Sequence, residues 1–446
     1  MIANVSARSA ADAASRATKS RYRILALIAF ATFLNYLDRS LLAVAAQPMS
    51  QELGIGPAAL GVVFSVFSWS YALSQIPGGM FLDRFGTRLT YFLSVTLWSV
   101  FTALHAAAAN LWALVAIRLG LGTAEAPCFP ANSRVLVTWF PARERARANS
   151  VYSVGMYFGI AFLSPLLFWI TATFGWRTLF ALVGALGVVF GFVFWWQYRE
   201  PQDSRWTNQA ELDLLREGGA IQAAQPGKTS LSWRDVGWLV RQRQIYGASL
   251  GQFATNSTLV FFLTWFPTYL ATERQMDWIS VGFYAVMPFI AASVGVLVGG
   301  QLSDHLVKRM GSLTFGRKLP IVGGLLLSST IVVAAFADSD LLVVTVMSIA
   351  FFGQGMSNLG WTLISDVAPA QFVGLTGGIF NFCTNLAGIV TPIVIGIIVA
   401  ATGSFFGGLA FIAIVALIGA FSYVFLVGEV KRIDAPEFAA ETAAAS

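Results

Sequence analysis

Twelve stretches of mostly apolar residues recur along the chain, each close to the length of about 20 residues that a helix needs to cross a bilayer. Of the 446 residues, 57% are hydrophobic and 11% are charged, whereas an average soluble domain has about 25% charged residues. Composition therefore excludes a water-soluble fold, a disordered chain and a disulfide scaffold, and it predicts an all-α membrane protein with twelve transmembrane helices. The stretches lie at residues 23–46, 59–82, 89–109, 111–131, 148–172, 176–198, 245–270, 280–304, 318–337, 341–364, 373–400 and 404–428.

The positive charges predict the orientation of these helices. When the N-terminus is placed in the cytoplasm, the loops and tails on that side contain 24 of the 28 Lys and Arg residues. Arg177 and Arg274 are the two basic residues in loops on the opposite side. Because cytoplasmic loops are enriched in Lys and Arg, we expect a multi-pass protein of the cell (inner) membrane with both termini cytoplasmic. The net charge of +6 then reflects topology, and we expect no nucleic-acid partner.

An internal repeat indicates that the chain is a duplicated six-helix unit. Gly79 and Asp83 recur as Gly300 and Asp304, and both pairs are separated by 221 residues. Repeats of this kind are typical of transporters whose binding site lies between two bundles. The predicted domains, two of them pseudo-symmetric six-helix bundles, are a cytoplasmic tail (1–22), an N-terminal bundle (23–198), a cytoplasmic linker with a short helix (199–243), a C-terminal bundle (244–428) and a second cytoplasmic tail (429–446).

Four charged residues fall well inside the apolar stretches: Asp38, Arg39, Arg118 and Glu125. Charge at bilayer depth is costly and usually marks function. Two buried salt bridges that only join helices are the alternative, but desolvation offsets most of their attraction. A buried acid can instead accept protons, and an arginine offers a planar fork that suits a carboxylate or phosphate. We expect the four groups to couple proton uptake to anion binding.

Polar and aromatic side chains in other apolar stretches suit a hydroxylated ligand. The amides of the C-terminal half have no charged residue among them, so they fit a surface that binds hydroxyl groups. Each amide taken alone would serve equally well as a bond between helices. The set comprises Tyr36, Tyr71, Gln75, Gln252, Asn256, Trp265, Asn358, Trp361, Asn381 and Asn385.

The sequence contains no pattern typical of an enzyme or a metal protein. Its two cysteines, Cys128 and Cys383, and its two histidines, His105 and His305, are far apart in the sequence. A Ser-His-Asp set, a phosphate-binding loop and metal-ligand spacing are all missing from the sequence. We therefore expect no catalytic residues, no metal and no cofactor.

The stretch Gly79–Arg88 is similar to the cytoplasmic signature of the major facilitator superfamily, between its second and third helices. The chain resembles this family, and the resemblance implies two bundles around a central site. It also implies that Asp83, Arg84, Arg88 and Asp304 form a conformational latch that holds the inward-closed state.

Longer stretches resemble the anion:cation symporter branch and, within it, bacterial sugar-acid transporters for galactonate and for glucarate or galactarate. By this resemblance, Arg39 would bind the substrate carboxylate, Asp38 and Glu125 would take up protons, and Arg118 would be their charge partner. The stretches are NYLDRS (35–40), SQIPGGMFLDRFGTR (74–88), AEAPCFP (124–130), WFPARER (139–145), GQFATNSTLVFFLTWFPTYL (251–270), RKLPI (317–321), GWTLISDVAP (360–369) and GLTGGIFNF (374–382).

The resemblance also implies which side chains line the pocket. The matching positions are Tyr36, Tyr71, Gln252, Trp361 and Asn381, and Asn358 lies in the same part of the chain. Met156 stands where these relatives have a glutamine that contacts the substrate, which leaves the exact ligand open. The C-terminal half has no second fixed cation at depth, and this favours a monocarboxylate.

We expect import of a small organic anion with protons by alternating access, carried out by a monomer in the lipid bilayer. Another small carboxylate, such as a hexuronate or a tartrate-like acid, is an alternative substrate. A multidrug or metabolite efflux pump of the same fold fits poorly with Arg39 beside Asp38. An organophosphate exchanger would need a second fixed arginine in the C-terminal half, and no apolar stretch there contains one.

Overall fold

The computed structural model describes residues 17–141, 144–145, 148, 163–220, 233–369 and 372–434. Nearly all of these residues are helical, and no strand occurs among them. Ten helical segments in this part of the chain are long and apolar enough to cross a membrane. The all-α membrane architecture predicted from the apolar stretches is therefore confirmed.

The helices of the N-terminal half and the linker follow the predicted stretches closely. Of the predicted stretch 148–172, the structure describes residue 148 and residues 163–172, and the latter belong to α5. The helices are α1 (Ser20–Leu53), α2 (Pro57–Leu104), α3 (Leu111–Glu125), α4 (Cys128–Trp139), α5 (Leu163–Phe174), α6 (Trp176–Gln197), α7 (Gln209–Glu217) and α8 (Trp233–Val240).

In the C-terminal half, several predicted stretches are each built from two helices with a short break between them. The stretch 245–270 is α9 followed by α10, and the stretch 341–364 is α14 followed by α15. The helices are α9 (Arg243–Thr264), α10 (Phe266–Thr272), α11 (Trp278–Tyr284), α12 (Val286–Met310), α13 (Leu313–Ser329), α14 (Asp340–Ser357), α15 (Gly360–Val367), α16 (Val373–Thr402) and α17 (Phe406–Phe421).

A kink at Gly86 replaces the loop expected between the second and third predicted stretches. The backbone of Gly86 has φ 78° and ψ 170°, while helical structure continues on both sides. Glycine adopts a positive φ without steric cost, so the chain can turn at this single residue. Two segments of this helix, Pro57–Leu82 and Arg84–Ala107, are each long enough to cross a membrane, and the kink lies near the start of the second.

Contacts within the molecule divide the chain into two compact units. Unit 1 comprises the described parts of residues 1–39, 69–159 and 176–229, and unit 2 comprises those of 40–68, 160–175 and 230–446. Unit 2 thus includes the later part of α1 and the first part of α2. The bundle boundaries 23–198 and 244–428 stay a prediction.

The linker helix α7 is attached to the start of α1 within unit 1. The Glu211 carboxylate is fully buried and accepts hydrogen bonds from the backbone N–H groups of Ser20 (3.1 Å) and Arg21 (3.2 Å). The first N–H groups of a helix lack partners within the helix and favour a negative charge nearby. Glu211 therefore caps α1 from a position far along the chain, a contact that the sequence pattern did not predict.

Helix α6 packs closely against the second part of α2 in unit 1. A Cβ atom added at Gly187 would lie 2.1 Å from Ser99 Oγ, and one added at Gly191 would lie 2.4 Å from Thr96 Oγ1. Small residues at such spacing let helices approach closely inside a membrane. Phe192 on the same helix packs against Phe92 of α2, with ring centres 5.3 Å apart, and is still 58% exposed, as expected at the edge of a surface that faces lipid.

Candidate functional site

Helices α1 and α3 bring Arg39 and Glu125 together in unit 1. Arg39 Nε donates to Glu125 Oε1 at 2.7 Å, and Arg39 Nη2 donates to the same oxygen. Glu125 is fully buried, whereas 19% of the Arg39 side chain is exposed. The Asn35 amide faces the same carboxylate from α1. An anion that reaches the exposed part of Arg39 would therefore meet Glu125 as a competitor for the guanidinium.

Aromatic rings surround the Arg39 guanidinium. Its Cζ atom lies 5.1 Å from the ring centre of Tyr36, 4.9 Å from that of Tyr71 and 5.9 Å from that of Phe129. Cations within about 6 Å of an aromatic ring centre are attracted by the ring, more strongly where water is excluded. Tyr36 and Tyr71 are predicted site residues, while sequence reasoning missed Phe129, which follows Cys128 in the AEAPCFP stretch. The rings hold Arg39 in one orientation.

Asp38 and Arg118 complete the charged cluster of unit 1. Each is 5% exposed. Asp38 interacts electrostatically with Glu125 and Arg118, and the side chains of Trp98 and Thr102 face its carboxylate. Glu125, Arg39 and Asp38 are the charged groups that act on Arg118. The four charges predicted from sequence thus form one cluster. Glu125 makes its direct contact with Arg39, where the resemblance implied Arg118 as the partner of both acids.

In unit 2, Gln252 on α9 packs against the start of α15. Its side chain is 2% exposed, and its Oε1 atom has no hydrogen-bond partner in the part of the chain that the structure describes. A Cβ atom added at Gly360 would lie 2.3 Å from that oxygen and 2.6 Å from the Tyr423 hydroxyl oxygen. Only glycine at position 360 leaves room for the Gln252 amide, and sequence reasoning did not single out this residue.

Asn358 and Trp361 lie at the break between α14 and α15. Asn358 is half-buried and ends α14. Trp361 is 39% exposed and packs edge to face against Phe380, with ring centres 4.9 Å apart. Helix breaks of this kind occur at the binding sites of transporters.

Two other amides of unit 2 have internal partners. The Asn256 Nδ2 atom donates to the Thr384 carbonyl at 2.7 Å and joins α9 to α16. The Asn385 Nδ2 atom donates to the Asn381 carbonyl at 2.9 Å and to Asn381 Oδ1 at 3.1 Å. Asn385 thereby orients the predicted site residue Asn381. Met156 lies outside the described residues.

The predicted latch residues of unit 1 lie near the Gly86 kink. Arg88 Nε and Nη2 donate to the Trp195 carbonyl at 3.1 and 2.8 Å, and the guanidinium lies 3.9 Å from the centre of the Trp195 ring. Arg84 lies 5.4 Å from the ring centre of Phe85. The Asp83 side chain lies outside the described residues. Arg88 thus holds the end of α6 against α2.

Asp304, the predicted latch residue of the second repeat, belongs to a network centred on Arg317. Arg317 Nη1 donates to Asp304 Oδ1 at 3.2 Å and to Ser303 Oγ at 2.9 Å, while Nε donates to Asp366 Oδ2 at 2.9 Å. One guanidinium therefore bridges α12, α13 and α15. Arg317 and Asp366 lie in the RKLPI and GWTLISDVAP stretches, but nothing in their spacing indicated that they meet.

Comparisons with known proteins agree over nearly the whole chain. Residues 28–314 match the model of the Major Facilitator Superfamily. A D-galactonate transporter from Escherichia coli is 42% identical over 429 residues, covering 94% of this chain and 98% of that protein. A probable galactarate/D-glucarate transporter from Escherichia coli is 40% identical, covering 95% and 97%. One from Bacillus subtilis is 40% identical, covering 94% of each.

Solved structures with the same fold are more distant in sequence. A bacterial homologue of the human lysosomal transporter Spinster, in an inward-facing and occupied conformation, has a TM-score of 0.72 at 19% identity and covers 91% of this chain and 96% of its own. A D-xylose-proton symporter has a TM-score of 0.71 at 16% identity, covering 92% and 98%. At these identities the likeness concerns the fold alone.

Proposed function

Because the chain belongs to the Major Facilitator Superfamily, whose members transport solutes and are not enzymes, we propose that it imports a sugar-acid anion by symport with protons. The substrate class is that of galactonate, glucarate and galactarate, which the printed names of relatives at 40–42% identity support. The observation that carries the proposal is the Arg39–Glu125 pair, in which a partly exposed cation is held by a buried acid.

Arg39 binds the substrate carboxylate in this proposal. A guanidinium can donate two parallel hydrogen bonds to a carboxylate, and Tyr36 and Tyr71 fix its orientation from two sides. The hydroxyl groups of these tyrosines add donors beside the bound anion. A single cation is enough for a monocarboxylate such as galactonate, while a dicarboxylate would leave its second charge near neutral amides.

Glu125 and Asp38 are the proton-coupling groups, with Arg118 as the charge that acts on both. An ionised Glu125 occupies Arg39 through two donors. Protonation of Glu125 removes that competition and frees the guanidinium for the substrate. Proton and anion therefore bind together, and coupling of this kind typically has a free energy of about 1–3 kcal/mol.

The neutral side chains of unit 2 bind the hydroxyl groups of the sugar acid. The buried Oε1 atom of Gln252 accepts no hydrogen bond from any described residue. Asn385 orients Asn381 through a hydrogen bond. Asn358 and the exposed Trp361 lie at the helix break. Amides donate and accept hydrogen bonds at once, so they match alcohols without favouring a charge.

Alternating access follows from the family's fold in this proposal, and the latch residues control it. Asp83, Arg84 and Arg88 act at the Gly86 kink, and Asp304 acts through Arg317. The protein works as a monomer in the inner membrane, with both termini in the cytoplasm.

A related substrate class remains as a second candidate because of Met156. Methionine offers a weak acceptor and no donor, so a shorter or less hydroxylated acid would lose no hydrogen bond there. A hexuronate or a tartrate-like acid would meet this condition.

The proposal is tested by uptake into vesicles that contain the purified protein. We expect labelled galactonate, or an aldarate in its place, to accumulate against its gradient when the outside is acidic, and accumulation to end when a protonophore is added. Unlabelled sugar acids from a panel of aldonates, aldarates and hexuronates are then added one at a time, and those that compete for uptake identify the substrate. Accumulation that ignores the protonophore would refute symport, and a panel without any competing sugar acid would refute the substrate class.

Arg39→Lys tests the binding role separately. Lysine keeps the charge but loses the planar fork, so we expect substrate affinity to fall roughly 10- to 100-fold, as for the loss of a charge-assisted hydrogen bond. Arg274→Lys is the matched control, because Arg274 pairs with Asp340 in a loop of unit 2 and should keep normal affinity. Unchanged affinity in Arg39→Lys would contradict the assignment.

A further inference from the structure

We propose that Asn35 pairs with Glu125 in both of its protonation states and thereby fixes Glu125 Oε2 as the atom that carries the proton. The proposal rests on the proton coupling by Glu125 in the proposed function, to which it adds a positioning residue. Asn35 precedes Arg39 by four residues on α1, a spacing that places two side chains on one face of a helix. That face of α1 meets Glu125 on α3.

The two oxygens of the Glu125 carboxylate have different surroundings. Oε1 accepts one hydrogen bond from Arg39 Nε at 2.7 Å and another from Arg39 Nη2. Oε2 is buried and has no hydrogen-bond partner among the described residues. Each carboxylate oxygen has two lone pairs, so a proton on Oε1 would compete with two N–H donors that already use them. The proton therefore belongs on Oε2.

Asn35 is fully buried beside this carboxylate. Its exposed fraction is 0%, and neither Nδ2 nor Oδ1 has a hydrogen-bond partner in the part of the chain that the structure describes. The amide faces Glu125, and because Arg39 holds Oε1, the oxygen left for Asn35 is Oε2. Buried polar groups in proteins are nearly always hydrogen-bonded. An unpartnered amide beside an unpartnered carboxylate oxygen therefore indicates a pair.

A side-chain amide suits both protonation states of a carboxyl group. The ionised carboxylate can only accept, and Asn35 Nδ2 donates to it. The protonated acid donates its O–H group, and Asn35 Oδ1 accepts it. A half-turn of the amide about its last bond exchanges the two atoms while the group fills nearly the same space. Glu125 can therefore gain and lose a proton without losing its partner on α1.

Titratable and charged groups from four helices also act on Glu125. A substitution of Asn35 by a neutral residue removes none of these groups and adds no charge, so a changed pH dependence would come from the lost amide. Among the described residues, the groups are Tyr36, Asp38 and Arg39 on α1, Tyr71 on α2, Arg118 on α3 and Cys128 on α4.

Protonation changes one covalent bond and one hydrogen bond at this pair. An O–H bond forms between Glu125 Oε2 and a proton that comes from water in the proposed symport, and the carboxylate loses its negative charge. The donor of the hydrogen bond between the two side chains changes from Asn35 Nδ2 to the new O–H group. Because Asn35 stays paired, Glu125 keeps its place opposite Arg39, and the guanidinium is the group that changes its partner.

The test measures binding to the purified protein as a function of pH, with labelled galactonate or the panel acid that competes best for uptake. Asn35→Leu keeps the approximate size of the side chain and removes both polar atoms. Hydrogen bonds to a charged group are about twice as strong as neutral ones, so the ionised form of Glu125 loses more than the protonated form. We expect the midpoint of the pH dependence to rise by about one pH unit, which is a roughly 10-fold change in proton affinity.

Three further variants complete the test. Asn35→Ser keeps a group that donates and accepts and should bring the midpoint back towards that of the wild type. Asn35→Ala lacks the amide and should show the same rise as Asn35→Leu, so the test stays decisive if the leucine variant does not fold. Asn132→Leu is the matched control, because Asn132 is a fully buried amide of unit 1 that bonds to Tyr91 at 2.7 Å and to Thr32 at 3.2 Å. This control should melt at a lower temperature with an unchanged midpoint.

The outcomes separate this proposal from the one on which it rests. Wild-type affinity that does not depend on pH would refute the proton coupling by Glu125 itself. If wild-type affinity depends on pH and Asn35→Leu keeps the wild-type midpoint, the pairing with Asn35 is refuted. An equal rise in Asn132→Leu would also overturn it, because loosened packing would then explain the effect. In a Glu125→Gln background, Asn35→Leu should change no pH dependence that remains, and a shift there would refute Glu125 as the partner of Asn35.

Discussion

Replacing Glu125 by glutamine removes the charge that competes with a substrate carboxylate for Arg39. In the wild-type protein, Nε and Nη2 of Arg39 both donate to Glu125 Oε1. A hydrogen bond to a charged group contributes about 1.5–3 kcal/mol, and the substrate has to replace at least one of these two. An ionised Glu125 therefore weakens substrate binding roughly 10- to 150-fold, at 1.4 kcal/mol per factor of ten.

The neutral amide of Glu125→Gln retains a weaker hydrogen bond, about half as strong as a charge-assisted one. At alkaline pH, where the wild-type carboxylate is ionised, we expect the variant to bind substrate about 10-fold more tightly than the wild type. At acidic pH the two affinities should converge, because protonation makes the wild-type side chain neutral as well. The variant thus loses most of the pH dependence of binding.

The assay is equilibrium binding of the sugar acid to purified protein across this pH range, together with uptake into vesicles. Glu125→Gln should keep binding and counterflow but lose accumulation driven by a proton gradient. Glu211→Gln is the matched control, since Glu211 is another buried acid of unit 1 paired with an arginine, Arg21 at 3.1 Å. A wild-type pH slope in Glu125→Gln, or unaltered uphill uptake, would refute the competition between Glu125 and the substrate.

Two further substitutions test packing and the latch. Gly61→Ala places a Cβ atom 2.5 Å from the Pro392 carbonyl oxygen in unit 2; overpacking typically costs about 1–3 kcal/mol, so thermal unfolding in detergent should begin at a lower temperature. Gly300→Ala meets nothing within 4 Å and should melt like the wild type; equal melting of both variants would contradict the packing argument. Arg317→Gln removes the cation that bridges α12, α13 and α15, including its bond to Asp366. We expect the maximal uptake rate to fall while substrate affinity stays unchanged, and a change in affinity alone would contradict a latch role.

The charged cluster could be predicted from sequence because charge stands out against an apolar background. Asp38, Arg39, Arg118 and Glu125 are conspicuous inside membrane segments, and the structure brings all four together. Their pairing could not be predicted, because it depends on how α1 and α3 are rotated about their axes. That rotation brings Glu125 into contact with Arg39, and the spacing of residues along the chain does not reveal it.

The residues that sequence reasoning missed are those whose role depends on which side chains lie close to them in the folded chain. Gly360 resembles the other glycines of the chain until the Gln252 oxygen is found beside it. Phe129 is one of 37 phenylalanines, and only its position against Arg39 distinguishes it. Arg317 lies in a stretch rich in basic residues, and the enrichment of Lys and Arg on the cytoplasmic side already accounts for these residues. The fold was more accessible: the all-α membrane architecture and the family resemblance drawn from Gly79–Arg88 are both confirmed.

The concentration of all four deep charges in unit 1 has a mechanistic consequence. A transporter with one binding cation in each half could hold its anion without releasing an internal acid. In the proposed function, Glu125 and the substrate carboxylate are alternative partners of Arg39, so one guanidinium links proton uptake to anion binding. Coupling in the proposed symport then requires no long-range signal: the proton that neutralises Glu125 and the anion that binds Arg39 act on adjacent atoms. In the proposed function, the neutral amides around Gln252 in unit 2 select the anion, while the charged cluster of unit 1 requires that the anion enters with a proton.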